Sequence, residues 1–176
     1  RFNRNYQSFQ KIKMNPPRTT IKEIFKEISK EEVMSIKQIV GKGDVNQVFI
    51  IKTNKNKVLL RLNKERDEFV KEKWCIDKAK KKGVPGPEII KIGRFGEWAY
   101  MAYKFIEGKS GKEIKTDKSE IWRKLGEYGK KINSIKTKGY GDKINLKTKR
   151  FSGNWKKFIN YNIKSLNKED ELIKLK

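Results

Sequence analysis

Apolar residues recur along this chain with two different periods, and the switches between them mark its elements. In the run IVGKGDVNQVFIIKTNKNKVLLRLNKERDEFVKE, residues 39–72, VFII and VLLRL carry β-branched and apolar side chains at strand spacing. The polar TNKNK between them reads as a hairpin tip. Residues 35–41 read as a preceding strand. Upstream, Ile21, Ile24, Phe25 and Ile28 share one helix face, with Thr20 and Glu23 at capping-box spacing as its start. After the third strand the period returns to 3.6, and Phe69, Ile76 and Ala79 line one face of a helix over 65–82. Gly83 can take the left-handed position that ends it, and Pro85 and Pro87 forbid continuation. EIIKIG and EWAYMAYKF, separated by RFG, add two more strands. Five strands in hairpin-like order with one helix after the third predict an α+β lobe.

The remainder reads as helical. Ile121, Leu125, Tyr128, Ile132 and Ile135 form a stripe that begins at Ser119 and is closed by Gly139, the expected face of a core helix. Trp155, Phe158, Ile159, Ile163 and Leu166 form another, and a further helix opens after Asn167 with Glu169, Asp170 and Glu171 in its first turn. Residues 1–17 show no clear period, and Met14 within them is a candidate true start. The resulting division is an irregular segment over 1–17, a lobe over 18–106, and a linker with the first helices of a second lobe over 107–176.

Two features of the first lobe carry candidate chemistry. Glu72 falls on the apolar face of its helix, three residues after Phe69 and four before Ile76, where a carboxylate is costly unless a cation meets it. Arg61 offers that cation, because Leu60 and Leu62 flank it and must point to the opposite side of the sheet. Gly41 and Gly43 interrupt an apolar run just before the second strand, where a backbone can approach a ligand closely. The segment reads either as a strand-turn-strand roof over a phosphate or as a plain β-hairpin.

Glycine turn, strand cation and helix glutamate together make the upper half of a kinase active site. The stretches GKGDVNQVF, KKKGVPGPEIIKIG, YMAYKFIEGKSG and LGEYGKKINSI resemble the aminoglycoside phosphotransferase and choline kinase-like family of small-molecule kinases, over about residues 30–176. The resemblance implies a protein kinase-like fold with a five-stranded antiparallel sheet and one αC-type helix, followed by helices of a truncated second lobe. It implies a nucleotide, ATP or GTP, with Ile39, Val48 and Leu59 lining the adenine site. Gly41, Gly43, Asp44 and Asn46 would cover the phosphates, Arg61 would contact phosphate oxygens, and Glu72 would orient Arg61. Tyr103 would stand at the back of the pocket, with main-chain bonds to adenine at Lys104 and Ile106. Arg61 stands where the best-studied members carry Lys, and the two cations are not interchangeable.

The same resemblance implies phosphoryl transfer to a hydroxyl of a small molecule, with aminoglycoside, choline, homoserine and fructosamine acceptors all open. The family's catalytic loop and its magnesium-binding residues would follow residue 176. These 176 residues would therefore hold neither a catalytic residue nor a metal ligand, and would be inactive alone, with Mg2+ entering in the complete protein. GYGDKIN offers Asp142 and Asn145 as a decoy; no His precedes them and their spacing is too short for a kinase catalytic loop.

Composition supplies a rival. The net charge of +24 favours polyanions through non-specific electrostatics, and a non-catalytic basic protein that binds nucleic acid or another polyanion on a kinase-like lobe is the alternative reading. Only eight of the 45 basic residues are arginines, however, and the lysines are spread over every segment with no recognition motif. The chain has no histidine, so His-based catalysis and His metal sites are excluded within it. Its one cysteine, Cys75, cannot form an internal disulfide and is expected to be a small buried hydrophobe. No apolar stretch of membrane-spanning length and no signal-peptide pattern occur, so a cytoplasmic protein without membrane contact is expected.

Overall fold

In the computed structural model, residues 16–40, 46–109, 111, 113–156 and 159–160 are described. They fall into two units, residues 16–135 and the described residues from 136 onward. The first holds α1 (Arg18–Ile28), β1 (Val33–Ile39), β2 (Gln47–Thr53), β3 (Lys57–Asn63), α2 (Arg66–Lys81), β4 (Ile89–Phe95), β5 (Trp98–Lys104) and α3 (Ser119–Asn133). In the second, β6 (Tyr140–Asn145) and β7 (Arg150–Gly153) pair as an antiparallel hairpin.

The five strands form one antiparallel sheet in the order β1-β2-β3-β5-β4. Its two faces follow from the period of two. On one, Phe49, Ile51, Val58, Leu60, Leu62, Trp98, Tyr100 and Ala102 form a core with Ile21, Ile24 and Phe25 of α1. On the other, Ala99, Met101 and Tyr103 meet Phe69 of α2, with Leu59, Ile76, Ile89 and Ile92 packed around them. Strand β5 is therefore covered on both sides, which is why WAYMAY reads as an unbroken apolar run. Leu60 and Leu62 are fully buried and each contributes on the order of 1.5–3 kcal/mol by leaving water.

Local chemistry sets the ends of these elements. Thr53 closes the β2–β3 tip: its hydroxyl accepts from the Asn56 N–H at 2.8 Å and donates to Glu31 at 2.5 Å. The bonds from Thr53 and Asn56 hold the Glu31 carboxyl below its usual pKa. At the end of α2, Gly83 adopts φ +70° and Val84 N–H returns to the Ala79 carbonyl at 3.1 Å, as a left-handed cap requires.

Four sequence expectations need correction. Helix α1 begins at Arg18 behind Pro17, with no side-chain cap, so Thr20 lies inside its first turn; proline sets the entry without needing an N–H. Helix α3 ends at Asn133, six residues before Gly139, because Ser134 bonds back to the last turn, its hydroxyl donating to the Lys131 carbonyl at 2.7 Å. The stripe of α3 is not a core face among the described residues: Ile121, Leu125 and Ile132 are exposed, as is Trp122 beside them. Cys75 is exposed too, one position away from the α2 face that packs on the sheet, and partial burial still pushes its thiol pKa up. Of the second stripe, Phe158, Ile163 and Leu166 lie outside the described residues, as does the helix expected after Asn167.

Tyr100 packs closely on a glycine. Its ring lies on Gly93, where an added Cβ would come within 2.4 Å of Cζ and Oη, while its hydroxyl donates to Glu27 of α1 at 2.6 Å. Gly93→Ala must therefore displace a fully buried ring and its bond to α1. We expect a loss of about 1–3 kcal/mol, read as a lower denaturant midpoint with unchanged slope; wild-type stability in this variant would refute the contact.

Candidate functional site

Strand register assembles the candidate site on the face opposite α1. Ile39, Val48, Arg61 and Met101 lie in one cross-strand row, and Ile50, Leu59 and Tyr103 in the next. Helix α2 packs over β4 and β5, leaving Ile39, Val48 and Leu59 half-buried on the uncovered part of that face. Arg61 stands at the boundary between the covered and uncovered parts.

Glu72 meets it there. Arg61 Nη1 donates to Glu72 Oε1 at 2.5 Å and to the Tyr103 hydroxyl at 2.5 Å, and that hydroxyl donates in turn to the same Glu72 oxygen at 2.8 Å. Phe69 and Tyr103 set their rings 5.4 and 5.8 Å from the guanidinium carbon. Burial pushes the Arg61 pKa down, but its hydrogen bonds to Glu72 and Tyr103 and their electrostatic attraction outweigh it and leave it raised. Tyr103 is pushed up to about 12, first by burial and then by its bond to Glu72, so its hydroxyl stays protonated in this cluster.

Asn46 and Asn63 continue the face beyond Arg61. Asn63 Nδ2 donates to Asn46 Oδ1 at 2.9 Å, and Asn63 Oδ1 accepts the Glu65 N–H at 2.8 Å at the entrance to α2. Gly41, Gly43 and Asp44 lie outside the described residues. At the end of β5 the Lys104 N–H is engaged by the Glu88 carbonyl at 2.9 Å, so a ligand bond at Lys104 falls to its carbonyl. Ile106 is 68% exposed, and its N–H has no partner among the described residues.

Two contributors escaped the sequence reading. Asn63 lies two residues after Arg61 and so shares its face, a signal that period two alone could have supplied. The Phe69 ring over the guanidinium was read only as core. Asp142 and Asn145 belong to the β6 hairpin of the other unit, where Asn145 Oδ1 accepts the Lys147 and Thr148 N–H groups at 3.0 and 2.9 Å and caps a turn. Among the described residues no three acidic or Cys side chains converge as a metal site, and no helix is long and apolar enough to cross a membrane.

A five-stranded antiparallel sheet in this order, with a helix after the third strand whose glutamate pairs with that strand's cation, defines the N-lobe of the kinase-like fold. Solved structures of aminoglycoside phosphotransferases share it. Aminoglycoside phosphotransferase APH(4)-Ia matches with a TM-score of 0.67 at 18% identity, over 82% of this chain and 50% of that one. A thermostable mutant of it, in ternary complex with AMP-PNP and hygromycin B, matches at 0.63 and 20% identity over 80% and 47%. Spectinomycin phosphotransferase APH(9)-Ia, in complex with ADP and spectinomycin, matches at 0.60 and 14% identity over 90% and 50%. The chain thus spans about half the length of each, and at these identities the likeness is one of fold. No family model matches the chain, and no curated protein matches it in sequence.

The Tyr103 cluster has a signature in alkali. A phenol raised from its ordinary value of 10.0 to about 12 favours the folded state while it is protonated. Its contribution is full below pH 10 and is lost as the pH rises through about 12. Phenolate absorbance should lose one late-titrating component in Tyr103→Phe, and the variant's stability should fall less steeply across that window. Loss of a component titrating near the ordinary value of 10.0 instead would place the Tyr103 hydroxyl in solvent.

Proposed function

We propose that this chain is the nucleotide-binding part of an ATP- or GTP-dependent phosphotransferase that acts on a hydroxyl of a small molecule. The observation that carries the reading is the Arg61–Glu72 pair at 2.5 Å, on the same sheet face as the half-buried Ile39, Val48 and Leu59. A base rests against those three apolar side chains, with Tyr103 behind it and the Lys104 carbonyl and Ile106 N–H at its edge. The segment of Gly41, Gly43 and Asp44 covers the phosphates and ends at Asn46, which Asn63 holds. Arg61 offsets phosphate charge, and Glu72 keeps it from swinging away. Such a lobe positions and neutralises; the group that receives the acceptor proton and the carboxylates that hold Mg2+ belong to the whole protein, and the 176 residues alone are inactive. The acceptor, an aminoglycoside or another hydroxyl compound, is likewise a property of the whole protein.

A second reading, a basic polyanion-binding protein on the same scaffold, draws on a recess lined by Lys52, Lys55, Lys57 and Lys104 near the β2–β3 tip. Two of these lysines already face acids, Lys57 at Glu107 and Lys104 at Glu88, so we favour the first. Salt separates them: polyanion binding should fall steeply with ionic strength, and nucleotide binding much less.

Glu72→Ala should weaken ATP binding about tenfold, the scale of one charge-assisted contact set loose, while lowering the melting temperature only slightly. Calorimetry on wild type and variant decides it. ATP affinity unchanged by Glu72→Ala, or a wild-type chain that binds nucleic acid and no nucleotide, would overturn the reading.

A further inference from the structure

Among the described residues, the guanidinium of Arg61 is held by one nitrogen only. Nη1 has two protons, and both are engaged, one by Glu72 Oε1 and one by the Tyr103 hydroxyl. Nε and Nη2 have no acceptor among the described residues. They form the side edge of the guanidinium, two parallel N–H groups spaced to meet two oxygens of one phosphate. The rings of Phe69 and Tyr103 flank the guanidinium carbon and restrict its tilt.

We infer that Tyr103 is a positioning residue which, with Glu72, fixes Arg61 by Nη1 and so directs its Nε/Nη2 edge to take a nucleotide phosphate through two oxygens. The inference rests on the nucleotide reading above and deepens it by assigning the phosphate contact and the residue that orients it. Glu72 alone would leave the second Nη1 proton unsatisfied, and the guanidinium would be free to rotate until the side edge faced the carboxylate. The Tyr103 hydroxyl removes that freedom, because it accepts from Nη1 while donating to the very oxygen that Nη1 reaches. A lysine could not use the device. A single ammonium has no second edge, so satisfying Glu72 and Tyr103 would leave one remaining proton for the ligand. Arg61 and the Tyr103 hydroxyl therefore act as a unit.

The test measures dissociation constants of ATP and of adenosine on the 176-residue chain, its Arg61→Lys and Tyr103→Phe variants, and the double variant. Their ratio reports what the phosphates add. Tyr103→Phe should lower the preference for ATP over adenosine about fivefold and Arg61→Lys about tenfold, with the double variant no lower than Arg61→Lys alone. In wild type the Arg61 Nε–H resonance should shift on adding ATP and stay in place on adding adenosine. A preference for ATP that Tyr103→Phe leaves intact, losses that add in the double variant, or an Nε–H signal indifferent to ATP would each overturn the inference while leaving the nucleotide reading standing. A wild-type chain that binds neither ligand would overturn both.

Discussion

A guanidinium that leaves a β-strand between two aromatic rings must be met by a carboxylate, and this requirement governs where α2 can lie. Arg61 sits in the middle strand of the sheet, with Leu60 and Leu62 committed to the opposite face. It cannot turn over without exposing both leucines or burying its own charge among them. Glu72 is delivered because Phe69, three residues earlier, anchors the same helix face against Ala99, Met101 and Tyr103. Apolar packing thus brings the acid to the base, and the ion pair in turn fixes the rotation of the helix. Neither interaction determines the geometry alone.

The other face plays a complementary part. Helix α1 closes it with Ile21, Ile24 and Phe25, and Lys91 Nζ donates to the Glu27 carbonyl at 2.7 Å to tie the helix to β4. The half-buried Ile39, Val48 and Leu59 lie on the opposite face, where α2 packs over β4 and β5. The polar and half-buried residues of the candidate site all stand on that side, from Ile39 to Asn63, because strand register puts every second residue there.

Most of this lobe was legible in the chain itself, for reasons that differ by element. Strands β2 and β3 show their period directly, and Glu72 betrayed itself by interrupting an apolar helical stripe. Tyr103 was placed at the back of the pocket, but the destination of its hydroxyl depends on the register that sets it opposite Leu59 and diagonal to Arg61. Periodicity in one strand does not specify register with another. The stripe of α3 teaches the converse: apolar spacing says that a face favours cover, and Trp122 and Leu125 remain exposed all the same. Helix ends were legible where a glycine with positive φ decided them, as at Gly83, and illegible where a serine hydroxyl competed, as at Ser134. Thr20 fell to the same kind of competition, since Pro17 had already set the helix entry.

Asn63 sets a spacing at the end of the sheet where β2 begins and α2 is entered. One planar amide touches Asn46 with its nitrogen and the Glu65 N–H with its oxygen. The span between Asn46 and the entrance to α2 is therefore the width of a single rigid group. A flexible linkage would let the start of β2 and the helix that carries Glu72 drift apart. Here Asn63 serves as a ruler, and the entry into β2 is spaced from the same helix that brings Glu72 to Arg61.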